Sequence, residues 1–117
     1  MSPYEAFHKA KRDGFTDELQ IIACSDAYNA VSFAMYVKGA DIKYCQEQAC
    51  RDANKAYFFT LEVPEADVAI CQEAACKDDY VAYRFAFIKG SDVEYCKARM
   101  GRYLETYLKD VMRQALR

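Results

Sequence analysis

Two stretches decide the fold: Asp41-Ile42-Lys43-Tyr44-Cys45-Gln46-Glu47-Gln48-Ala49-Cys50 and Asp67-Val68-Ala69-Ile70-Cys71-Gln72-Glu73-Ala74-Ala75-Cys76. They superpose residue for residue, 26 positions apart. Working outward, Asp17 to Cys24 gives an earlier copy and Ser91-Asp92-Val93-Glu94-Tyr95-Cys96 a later one. The cysteines at 24, 45, 50, 71, 76 and 96 are therefore spaced 21, 5, 21, 5 and 20 apart. Repetition with a period near 25 residues marks stacked supersecondary units, each too small to bury its apolar face alone.

The 117 residues make one domain. Its units run over about 15–39, 40–64, 65–90 and 91–116, preceded by a cap helix over about 3–12. Every unit reads as helix. Ala53-Tyr57-Phe58-Leu61 and Tyr80-Tyr83-Phe87-Ile88 recur at three- and four-residue spacing, giving an apolar stripe. Lys38-Gly39, Val63-Pro64 and Lys89-Gly90 are helix stops, and Asp41, Asp67 and Asp92 are N-caps for the next helices. Two all-α architectures satisfy these signals. One is a four-helix bundle built from single helices of about 22 residues, with an extra N-terminal helix. The other breaks each unit after its second cysteine, where Asp26, Asp52 and Asp78 stand ready to cap a second helix, giving a short-helix solenoid. Nothing at 51–52 or 77–78 is a strong helix breaker, so local propensity leaves both open.

The pattern resembles the short α-helical repeats of unassigned function that occur in tandem in proteins of intracellular bacteria and large DNA viruses. Ile42-Lys43-Tyr44-Cys45 matches their Leu-x-Tyr-Ala piece, Asp52 holds their Asp place, and Tyr95-Cys96 and the span from Asp78 to Gly90 match the corresponding parts. The resemblance covers about residues 17–101 and implies that the cysteines occupy apolar packing places. It carries over no catalytic residue.

Charge excludes several function classes. With 16 Lys+Arg against 18 Asp+Glu, the formal charge is −2, which gives no basic field for nucleic acid. No stretch approaches the length of a membrane-spanning helix. The start, Met1-Ser2-Pro3-Tyr4-Glu5, has no secretory pattern, so the expected location is the cytoplasm, or a host cell for a delivered effector. His8 is the single histidine, no Glu-x-x-His pair or phosphate-cradling glycine loop is present, and no enzyme chemistry is expected.

The cysteines allow three readings. Cys45/Cys50 and Cys71/Cys76 are C-x4-C pairs, a spacing that zinc loops tolerate. On a continuous helix, however, such residues point about 140° apart and cannot share one ion. A metal would need thiolates from adjacent units, and no cofactor or metal site is assigned. Disulfides within a unit fail for the same geometric reason, but Cys24–Cys45, Cys50–Cys71 and Cys76–Cys96 can link each unit to the next. A chain stapled in that way would be a secreted helical effector or structural protein. The third reading is free thiols filling small core places.

A repeat of helices presents a surface rather than a pocket. The expected function is a non-enzymatic module that binds another protein through aromatics on its uncovered face, with Tyr28, Tyr36, Tyr57, Tyr80 and Tyr83 as candidates. The alternatives are the disulfide-stapled effector and a cysteine-based metal or redox protein. Association with a second copy is compatible with the same surface.

Overall fold

The computed structural model describes residues 1–117 as nine α-helices and one 3₁₀ turn, with no strand. The helices are α1 (Pro3–Asp13), α2 (Asp17–Ala23), α3 (Ala27–Tyr36), α4 (Ile42–Ala49), α5 (Ala53–Glu62), α6 (Val68–Ala75), α7 (Asp79–Phe85), α8 (Val93–Lys97) and α9 (Leu104–Ala115). The 3₁₀ turn, Gly101–Tyr103, leads into α9. The short-helix solenoid is thus realised, and no helix reaches the length that a four-helix bundle would need.

Side-chain capping explains the breaks. Asp26, Asp52 and Asp78 have extended backbones, and each accepts a hydrogen bond from the backbone N–H three residues on, in Asn29, Lys55 and Val81. Asp41, Asp67 and Asp92 do the same for α4, α6 and α8. Each cap satisfies a donor that a helix start otherwise leaves free, at about 1 kcal/mol apiece. Good helix formers at 46–49 and 74–75 do not carry the chain past these points. A turn there frees each odd-numbered helix from the even-numbered one before it, so that it can stack on the preceding odd-numbered helix.

The turns between α3 and α4, α5 and α6, and α7 and α8 share one hydrogen bond, from the N–H of Ala40, Ala66 and Ser91 to the carbonyl of Val37, Val63 and Ile88. Gly39 and Gly90 take φ of 92° and 93°, a left-handed backbone that a side chain would strain. The middle turn uses Pro64-Glu65 without any positive φ, a different closure of the same junction.

The odd helices stack in one row, with α1 on α3, α3 on α5 and α5 on α7. Each even helix packs chiefly against its predecessor, as α2 does on α1, α4 on α3 and α6 on α5. The particle measures 51 × 25 × 19 Å. Its radius of gyration is 16.1 Å, against about 13 Å for a compact globule of this length.

The core is a ladder with the repeat's own period. Phe33, Phe59 and Phe85 are fully buried, with Ala30, Ala56 and Ala82 one turn before them. Ala23, Ala49 and Ala75 are sealed at the ends of the even helices, and Met100 fills the equivalent place in the last unit. The expected apolar stripe is therefore displaced. Tyr57, Phe58 and Tyr83 are only half-buried, Leu61, Tyr80 and Phe87 are exposed, and the buried face of α5 and α7 is Ala56-Phe59 and Val81-Ala82-Phe85. Each of these helices carries two apolar faces at helical spacing. The buried face sets a fully buried alanine one turn before each phenylalanine, a small residue that leaves neighbouring helices room to close on the ring.

Candidate functional site: a buried seam and an aromatic face

Two repeated arrangements stand out, one between units and one on their outer surface. The seam between units begins with glutamine. Gln20, Gln46 and Gln72 are buried, and each Oε1 accepts the backbone N–H of the aspartate that opens the next even helix. The distances are 2.8 Å to Asp41, 2.7 Å to Asp67 and 2.7 Å to Asp92. The same aspartates cap that helix with their side chains, so each glutamine holds the residue that starts the following unit. These glutamines directly follow the first cysteine place of their units at a 26-residue period, a signal visible in the sequence but not read from it.

Beside each glutamine lies a pair of thiols. The Sγ separations are 3.7 Å for Cys24 and Cys45, 3.9 Å for Cys50 and Cys71, and 3.7 Å for Cys76 and Cys96. All six are free thiols, five of them buried and Cys50 half-buried. These are the three pairs expected from the 21, 21 and 20 gaps, brought into non-bonded contact. Cys45, Cys71 and Cys96 also approach the glutamine oxygen, at 4.0, 3.6 and 3.7 Å. The thiol–thiol hydrogen bond, with burial second, pushes Cys45, Cys50 and Cys96 far up. The same hydrogen bond draws Cys71 and Cys76 down against the opposing effect of burial. One thiol of each of these two pairs ionises more readily while its partner keeps its proton. No group of three or more His, Cys, Asp or Glu side chains is arranged to hold a metal ion.

The second arrangement is the outer face of the odd helices. Tyr28, Tyr36 and Tyr80 are 60%, 55% and 44% exposed, whereas Tyr57 and Tyr83 are half-buried among their neighbours. A groove of about 460 Å³ lies between α3 and α5, lined by Tyr28, Val31, Met35, Tyr36, Lys55 and Phe58, with Ser32 and Glu62. Cations are seated on the rings along the whole face. Lys11 lies 5.0 Å from the Tyr36 ring centre, and Lys55 lies 5.0 Å from Tyr28 and 5.4 Å from Phe58. Arg84 lies 4.4 Å from Tyr57 and 5.9 Å from both Phe58 and Tyr80, and Arg102 lies 5.1 Å from Tyr103.

None of these four cations pairs with a carboxylate. The ion pairs of the protein are Arg12–Asp13, Lys97–Glu94, Lys109–Glu105 and Arg113–Asp110. At the C-terminal end of the face, Tyr80, Tyr83 and Tyr103 cluster with ring centres 5.1–6.0 Å apart. The Tyr83 hydroxyl donates to Asp110, which raises the Tyr83 pKa. The structure thus separates the five candidate tyrosines. Tyr28 and Tyr36 line one groove, while Tyr57, Tyr80 and Tyr83 belong to the Arg84 and Tyr103 cluster. The contribution of Lys55 and Arg84 was hidden in sequence, because Lys55 also meets Tyr28, and Arg84 also meets Tyr57 and Phe58, across the boundary to the preceding unit.

Comparison with family models, with curated proteins and with solved structures finds no match. No helix is long and apolar enough to cross a membrane.

Proposed function

We propose that the chain is a non-enzymatic protein-interaction module whose odd-helix face binds an extended, carboxylate-bearing segment of another protein. The observation that carries this reading is the row of cations on aromatic rings without carboxylate partners. A ring holds its cation at a fixed place while leaving the charge free to meet an anion. Tyr28, Phe58 and Tyr36 supply flat apolar area with few rotatable bonds, a composition common at binding hot spots. The groove between α3 and α5 gives a segment its anchor, and Arg84 and Arg102 offer charge further along.

The probe is a fluorescent peptide of alternating Glu and Leu, followed by anisotropy. Binding is expected to weaken as salt rises and to fall at least about tenfold in Tyr28→Ala or Lys55→Glu, with an unchanged unfolding midpoint. A single-stranded oligonucleotide serves as the competitor class. Equal binding by Tyr28→Ala and wild type, or binding of the oligonucleotide and not the peptide, overturns the proposal.

A further inference from the structure

The thiol pairs of the seam have a property that packing alone does not explain. Each unit offers two cysteine places: one within the even helix, at 19, 45, 71 and 96, and one at or beyond its end, at 24, 50, 76 and 101. In the fold, the end place of one unit meets the start place of the next. Two of the eight places have no counterpart to meet, the first start and the last end. Those two are Leu19 and Gly101, and the other six are cysteine. At 101 the left-handed backbone, with φ of 52°, by itself favours glycine, but at Leu19 a small apolar residue would be as welcome as at a paired place. Cysteine instead follows the presence of a partner, so pairing is the role it serves.

The geometry points to Cys24–Cys45, Cys50–Cys71 and Cys76–Cys96 as three disulfide-forming sites, a ladder that ties every even helix to the next. Their sulfurs are 3.7, 3.9 and 3.7 Å apart, and closing each bond moves them roughly 1.7–1.9 Å nearer, to the 2.03–2.05 Å of a disulfide. Side-chain rotation with a small helix shift can supply that movement. The oxidant is a small-molecule disulfide such as oxidised glutathione. In each pair, one thiolate attacks it, forming a mixed disulfide and releasing one glutathione thiol. The partner thiolate then attacks the protein sulfur of that mixed disulfide and releases the second. Two protein S–H bonds are lost and one S–S bond is formed. The glutathione disulfide takes up the two electrons and, with the two protons, becomes two thiols. The glutamine oxygen beside Cys45, Cys71 and Cys96 accepts from a backbone N–H throughout, so oxidation leaves no seam donor without its partner. The oxidised ladder suits an oxidising compartment, where such bonds persist.

The test uses the whole chain, first as native protein and then refolded from urea, both in a buffer of reduced and oxidised glutathione. Refolding gives the oxidant access to thiols that burial would shield. Intact mass is expected to fall by two hydrogens per bond for all three bonds, and peptide mapping to recover the three named links. The unfolding temperature of the oxidised protein should exceed that of the reduced one. In Cys50→Ser/Cys71→Ser the other two links should still form, and the gain should shrink by about one third. Free thiols, glutathione adducts or other pairings as the main product after oxidative refolding overturn the inference.

Discussion

The seam between units and the face of the odd helices are built on the same repeat but treat it differently. Along the seam the chemistry recurs place by place: glutamine oxygen to aspartate N–H, thiol to thiol, alanine against phenylalanine. Along the face the residues at one repeat place diverge, as Tyr28, Asn54 and Tyr80 do, or Ser32, Phe58 and Arg84. Units that stack by one geometry need one set of contacts, because each must fit a copy of itself. A surface that meets something outside the stack has no such requirement. The contrast teaches that the regular part of this protein is its scaffold and that the irregular part is where function is to be sought.

The comparison breaks most visibly in the core of the seam. Phe59→Ala removes a fully buried ring between α5 and its neighbours and is expected to cost about 3–5 kcal/mol of stability in urea unfolding. Tyr80→Ala on the face should cost far less. A comparable loss from both would mean that the face is structural as well.

A smaller effect is expected from Gln46→Ala. It leaves the partly buried N–H of Asp67 without its acceptor, at about 1 kcal/mol. The neighbouring Gln48→Ala, whose side chain meets only Arg51 near the surface, should stay within about 0.5 kcal/mol. Hydrogen exchange sharpens the test, because the loss should appear first at the start of α6.

The smallest effect concerns pH. Tyr83 has a folded-state pKa raised by its hydrogen bond to Asp110. Its contribution is fully present below the unfolded value of about 10 and is lost as pH rises through the higher folded value. The site is only partly shielded from solvent, so the stability change is slight. The clearer readout is ultraviolet titration of tyrosinate, in which Asp110→Asn should lower the pKa of one tyrosine.

Much of the scaffold was legible because its signals are local. Asp26, Asp52 and Asp78 offer caps for a second helix in each unit, Gly39 and Gly90 mark left-handed turns, and the cysteine gaps offer the pairs of thiols that meet. The role of Gln20, Gln46 and Gln72 was not legible, although their spacing was, because a glutamine in a helix is ordinarily a solvated residue. The stripe through Tyr57 and Tyr83 reads as core in the sequence because helical periodicity cannot rank two apolar faces of one helix. Tyr28 and Tyr36 share a groove with Lys55 and Phe58 only because α3 and α5 lie side by side.

By itself, the sequence determined the all-helical class and the period and offered the candidate thiol pairs, since caps, turns and repeats act over a few residues or through copying. Tertiary structure decided between long and short helices, chose which aromatic face was buried, and brought Lys55 and Arg84 onto rings of the preceding unit. Those outcomes depend on how closely neighbouring helices can approach, a distance set by pairs of residues about 26 apart rather than by any one stretch of chain.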